Sequence, residues 1–204
     1  MEGSDWDARY ATSELVWSAE PNRWVREELT GLPPGRAVDL AAGEGRNSIW
    51  LAGVGWRVTA VDFSSVAIDK GRQLAGRLGD PEAGGRIDWV VGDVRTYRAE
   101  PGAFDVALLC YLHLPAPERP MVLAGAVEAL APGGILLVVG HARANLAEGT
   151  GGPQDPAVLY DPEQVLAELP SEPTLAVERA ELVRRPVEGA RDAIDVLVRA
   201  RHPA

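Results

Sequence analysis

From residue 37 onward, unbroken apolar runs alternate with amphipathic stretches of helical spacing. This is the pattern of βαβ units laid into a mostly parallel sheet. Residues 37–42 predict a first strand and 46–52 a helix, followed by a second strand at 57–61. Ser64 or Ser65 then caps a helix whose apolar face is Ala67, Leu74, Ala75 and Leu78. Residues 87–91 predict a third strand, and 104–110, apolar almost without alternation, a fourth that is central and covered on both faces. A helix opens at Pro117-Glu118, carries Val122, Ala126, Val127 and Leu130 at helical spacing, and is expected to stop at Pro132-Gly133-Gly134. A fifth strand is predicted at 135–139 and a helix from Asp161-Pro162 to about Leu169. Two closing segments, 175–183 and 193–200, read as an antiparallel pair. Residues 22–29 read as helical and 4–20 as an aromatic-bearing arm. Residues 141–160 have no period and are rich in Gly, Pro, Ala and Asn; a connection of that length suggests a lid or acceptor loop. The whole is expected to be one domain, 1–204.

Composition narrows the chemistry. The 204 residues carry 20 Lys+Arg against 30 Asp+Glu, a formal net charge of −10. Neither a nucleic-acid backbone nor an anionic membrane is an expected partner for such a balance. The lone Cys110 excludes a disulfide framework and any multi-thiolate metal site, so no metal is expected. The lone Lys70 leaves no phosphate-binding loop with its lysine. The first residues lack a signal peptide's basic and apolar regions, and no run is long enough to span a membrane; a cytoplasmic location is expected. Oligomeric state is not legible from the sequence.

Open α/β sheets bind ligands at the carboxyl ends of their strands. Three features fall there. Asp39-Leu-Ala-Ala-Gly43-Glu-Gly45 forms a small-residue turn that lets backbone and the next helix's amides approach a ligand. Asp62 ends the second strand, where a carboxylate accepts from both hydroxyls of a ribose. Asp93, in Gly92-Asp93-Val94 after the third strand, is placed to accept from an adenine amino group. Together they describe an adenosine site. A nicotinamide-dependent oxidoreductase is the main rival, but Gly43-Glu-Gly45-Arg-Asn-Ser48 lacks the third glycine of the dinucleotide fingerprint, and Lys70 has Val66, not tyrosine, four residues before it.

On Trp6-Asp-Ala-Arg-Tyr10, residues 38–48, Val61-Asp-Phe-Ser64, Gly92-Asp-Val94 and Pro132-Gly-Gly134, the chain resembles the class I S-adenosylmethionine-dependent methyltransferases. Among these it is most similar to the small stand-alone branch of the tellurite-resistance and thiopurine methyltransferases. The resemblance implies a Rossmann-like α/β fold with a seven-stranded, mostly parallel sheet of order 3-2-1-4-5-7-6, strand 7 antiparallel, and helices on both faces. It implies that Asp39, Ala41, Gly43, Gly45 and Arg46 surround the methionine end of the cofactor, with Asp62 on the ribose, Phe63 beside the adenine, and Asp93 and Val94 at its edge. Backbone at Cys110 would meet the methionine amino group, and Arg9, Tyr10 and Trp17 of the arm (residues 1–30 with its helix) would cap the pocket. Ala41 stands where the family pattern carries its first glycine.

A sulfonium methyl is already electrophilic, so such a protein chiefly places a small-molecule nucleophile in line with the methyl–sulfur bond and keeps water away. A thiolate or chalcogen anion needs no base; an alcohol, amine or carbon acid is helped by one. His113 and His141 are the candidate bases, with Tyr111 shaping the acceptor pocket. A non-catalytic sensor that binds the same cofactor is a further alternative.

Overall fold

The computed structural model describes residue 11, residues 20–77 and residues 81–204. The chain divides into two compact units, residues 1–99 and 100–204. Seven strands are ordered β3-β2-β1-β4-β5-β7-β6.

In the first unit, α1 (Arg23–Leu29) is capped by Asn22, whose side chain accepts from Trp24 and Val25 amides. It precedes β1 (Arg36–Leu40), α2 (Arg46–Gly53), β2 (Arg57–Asp62), α3 (Ser65–Arg77), the short α4 (Pro81–Gly84) and β3 (Ile87–Val91). The three strands are parallel, with Leu40 beside Val61 and Asp62 beside Val91. Asp39, Asp62 and the Gly92-Asp93 turn therefore all stand at carboxyl ends of adjacent strands. Of the two candidate caps, Ser64 acts: its Oγ accepts from the Ala67 amide at 3.1 Å. Val38, Leu51, Val58, Val61 and Ile68 fill the core.

The second unit runs β4 (Phe104–Cys110), α5 (Arg119–Glu128), β5 (Leu130–His141), α6 (Asn145–Glu148), a 3₁₀ turn (Pro156–Val158), α7 (Pro162–Glu168), β6 (Ala176–Arg185) and β7 (Ala193–Arg201). β4 and β5 are parallel, and β7 pairs antiparallel with both β5 and β6. The helix expected to run to Pro132 stops at Glu128, and Pro132-Gly133-Gly134 lies inside β5. Phe104 pairs with Leu130 but Val106 with Ile135, so the proline and two glycines make an irregularity in the strand rather than a helix terminator. Gly134 is needed there because a Cβ would lie 2.9 Å from the Phe104 carbonyl oxygen.

The period-less segment 141–160 is organised by tertiary bonds. Buried Asn145 accepts from the Ile194 amide at 2.7 Å and donates to the carbonyls of Thr150 and Gly151. Arg143 donates to the carbonyls of Pro156 and Leu159. Arg119 of α5 forms a fork with Glu168 of α7, at 2.9 and 2.6 Å, with both side chains largely buried. No helix among the described residues is long and apolar enough to cross a membrane.

Candidate functional site

In the first unit the β1–α2 turn is built around two carboxylates. Asp62 is 3% exposed; its Oδ2 accepts from the Gly43 amide at 2.8 Å and its Oδ1 from the Ser64 amide at 2.9 Å. One side chain thus fixes both the glycine turn and the start of α3. Asp39 is 1% exposed, and its Oδ2 accepts from Ser48 Oγ at 2.7 Å. Its Oδ1 is buried with no hydrogen-bond partner. Burial pushes the Asp39 carboxyl up to about 6; the Ser48 bond opposes this, and the nearby Asp62 charge adds to it. A third buried carboxylate, Glu44, faces Lys70 at 3.6 Å.

The backbone of the turn is left-handed at three positions: Ala41 at φ +67°, Gly43 at +59° and Gly45 at +75°. Only glycine adopts this region without steric cost. Gly45 has a second reason to be glycine, which the sequence reading missed. A Cβ at Gly45 or at Gly71 would collide with the indole of Trp89, whose ring packs against both. Arg46 opens α2, and Phe63 follows Asp62 half-buried. Asp93 departs from the expected picture of a carboxylate turned to a ligand. It forks onto Arg95 at 2.6–3.0 Å, and that hydrogen bond above all holds its carboxyl below the usual range. Its carbonyl closes the turn by accepting from Thr96 and Tyr97, with half-buried Val94 inside it. Arg9, Tyr10 and Trp17 lie outside the described residues.

In the second unit Cys110 ends β4, and Tyr111 follows it at φ +59°. Tyr111, His113 and His141 bring their rings together: centroids lie 4.7 Å apart for Tyr111–His141 and 5.5 Å for His113–His141, with the two imidazoles stacked on nearly parallel planes. The amide of His141 donates to Nε2 of His113 at 3.1 Å. That acceptor role places the His113 proton on Nδ1. Burial, reinforced by His141, depresses His113 to about 3, so it is neutral at ordinary pH. The nitrogen His113 would need as a base is engaged.

Asp195 of β7 is a residue the sequence reading did not single out. It is fully buried, lies opposite His141 in the ladder, and accepts from Tyr111 Oη at 2.9 Å and from Arg185 Nε at 3.2 Å. Burial, then the Asp195 charge, pushes the Tyr111 phenol well up. A lone carboxylate inside Ala193-Ile-Asp-Val-Leu-Val198 was the available signal. Nearby, Leu109, Val122, Val138, Tyr160 and Val165 line an apolar cavity of about 20 Å³, room for roughly one water. Among the described residues no cluster of His, Cys, Asp and Glu suits a metal ion.

Comparison with known proteins agrees with this geometry. Residues 37–134 match a family described as a methyltransferase domain. The demethylmenaquinone methyltransferase of Renibacterium salmoninarum is 29% identical over 130 residues, 62% of this chain and 51% of that protein. The chain thus spans about half the length of the curated relatives it matches. A solved structure described as converting a disulfide bond into a thioacetal group during echinomycin biosynthesis superposes with a TM-score of 0.74 at 21% identity, covering 98% of this chain and 92% of its own. TehB from Haemophilus influenzae superposes with a TM-score of 0.69 at 15% identity, covering 98% of this chain and 67% of its own. The fold is the Rossmann-like class I methyltransferase fold, in the strand order expected from the sequence.

Proposed function

We propose that this chain, whose residues 37–134 match a methyltransferase domain, is an S-adenosylmethionine-dependent methyltransferase acting on a small-molecule acceptor. The observation that carries the reading is the buried oxygen of Asp39. A carboxylate buried beside Asp62, with Oδ1 lacking a partner, calls for a cationic hydrogen-bond donor. The α-ammonium of a methionine moiety is such a donor. The pyrophosphate of a nicotinamide dinucleotide is the reverse, since two carboxylates at the turn repel it.

Asp39 holds the amino-acid end, with the left-handed turn at Ala41 and Gly43 giving close backbone approach and Arg46 beside it. Asp62 accepts from the ribose hydroxyls while its amide bonds keep it aimed. Phe63 and Val94 border the adenine, and Asp93 serves as a turn-former pinned by Arg95. Bound there, the cofactor supplies an electrophilic methyl on a sulfonium, and an acceptor nucleophile displaces it in line. The residues of the chain orient both partners and exclude water. The formal charge of −10 supports a small acceptor over nucleic acid. The motifs favour the tellurite-resistance and thiopurine branch, and the superposition with TehB is in keeping with it.

Isothermal titration with S-adenosylhomocysteine, with NADH as control, tests the reading. One-to-one binding of the former alone is expected, lost by at least tenfold in Asp62→Ala. Binding of NADH alone, or unchanged affinity in Asp62→Ala, overturns it.

A further inference from the structure

Trp89 sits on β3, at the edge of the sheet, yet its side chain ends at the cofactor turn. Asp39, Ala60 and Trp89 are register partners on β1, β2 and β3. Paired residues of parallel strands project to the same face, so the three side chains form one row. The middle one is a fully buried alanine, and its small size leaves space over β2 for the indole. The six-membered ring ends between two glycines. A Cβ at Gly45 would lie 2.6 Å from Cζ3, and one at Gly71 of α3 would lie 2.5 Å from both Cζ3 and Cη2. The Cβ at Gly71 would also stand 3.0 Å from the Glu44 carbonyl oxygen, so turn, helix and indole meet at one point. Two ties hold this wedge: Arg72 donates to the Trp89 carbonyl at 3.2 Å, and Lys70 faces Glu44 at 3.6 Å. Gly45, at φ +75°, immediately precedes α2, the helix whose Ser48 donates to Asp39.

We propose that Trp89 is a positioning residue through which the site selects ligands with a cationic amino-acid end. The indole holds the turn in its left-handed course and keeps water off Asp39, so that Oδ1 is matched by an ammonium. This rests on the methyltransferase reading above. A buried carboxylate oxygen without a donor gains far more from an incoming cation than a hydrated one does. The groups acting on Asp39 are Asp62 from β2 and Arg46 and Ser48 from α2. Ser48 takes Oδ2, which leaves Oδ1 for the ligand. A looser wedge admits water to Asp39, and the ammonium then only exchanges with that water. The adenosine end depends on Asp62, which is aimed by its own bonds to the Gly43 and Ser64 amides.

The test compares two ligands by isothermal titration on the full chain. One is S-adenosylhomocysteine; the other is 5′-methylthioadenosine, which has the adenosine and the sulfur but no amino-acid end. Trp89→Phe removes the distal ring edge and should weaken the first about tenfold and the second less than about twofold. Gly71→Ala drives a methyl into the wild-type indole and should do the same. In the Trp89→Phe background that methyl fills the vacated space, so the double variant should regain selectivity. A merely structural role lowers thermal midpoints and leaves the ratio of the two affinities unmoved. Proton counting gives a second readout. At pH 5 the wild-type Asp39 carboxyl is largely protonated, so binding the ammonium should release most of a proton, read from the dependence of binding heat on buffer ionisation. Trp89→Phe, with Asp39 hydrated, should release clearly less. An affinity ratio and a proton release unchanged in both single variants overturn the proposal; if one of them fails to fold, the other decides. Failure of the wild type to bind S-adenosylhomocysteine sinks the methyltransferase reading and this inference with it. Binding that is lost in Asp62→Ala but keeps its ratio in the Trp89 and Gly71 variants refutes this inference alone.

Discussion

Replacing Asp39 by asparagine isolates the cost of a buried charge at the cofactor turn. In the folded protein the carboxyl titrates at about 6 against an ordinary value of 3.8. At 1.36 kcal/mol per pH unit, that rise corresponds to about 3 kcal/mol. The sign follows from proton counting. Between about pH 4 and 6 the folded chain holds a proton that the unfolded chain has lost, so stability declines as pH rises through this window and stays lower above it. The side-chain amide introduced by Asp39→Asn cannot ionise, so the variant lacks this decline. Urea unfolding of both proteins from pH 4.5 to 7.5, without ligand, should show Asp39→Asn gaining about 2 kcal/mol relative to wild type across that range, the first part of the decline falling below pH 4.5. Saturating S-adenosylhomocysteine should reverse the ranking at pH 7.5, since its ammonium neutralises Asp39 in the wild type only. Two unliganded profiles that run parallel within about 0.5 kcal/mol would refute the assignment of a strained charge to Asp39.

Two further outcomes concern stability. Ala41→Gly relieves a left-handed alanine at φ +67°; the steric gain of about 1–2 kcal/mol exceeds glycine's entropic loss, so thermal unfolding should shift up by about 2–4 °C. A lower midpoint would show that the turn does not need glycine's freedom. Glu168→Gln leaves the Arg119 guanidinium, 7% exposed, without its carboxylate. A loss of about 3 kcal/mol is expected by denaturant titration, and a change below about 1 kcal/mol would mean that water reaches the pair.

The strands were legible where continuous apolar runs are bounded by polar or glycine residues: β3 and β4 have the predicted limits. The strand-end acids were legible for the same reason, since parallel register carries Asp39 and Asp62 to one edge. What the sequence hid was tertiary. Pro132-Gly133-Gly134 has the composition of a helix stop, and only the pairing of Phe104 with Leu130 draws it into β5. Segment 141–160 has no period because its order comes from Asn145 bonding to β7. Gly45 was read for its turn alone, while Trp89, distant in sequence, imposes a second constraint. Asp93 could be placed after β3, but its fork with Arg95 is a matter of rotamers.

The order β5-β7-β6 also bears on how the second unit is made. β6 adjoins only β7 in the sheet, and β7 is translated after it. While the chain is being synthesised, β6 leaves the ribosome with no ladder to join, and it carries Val177 and Leu182, which stay about half exposed even in the finished fold. The earlier strand has its partner only once the later one has emerged, so this edge of the sheet is completed by the last residues of the unit. Until then β6 is an unpaired edge of the kind that chaperones shield and that neighbouring nascent chains can capture.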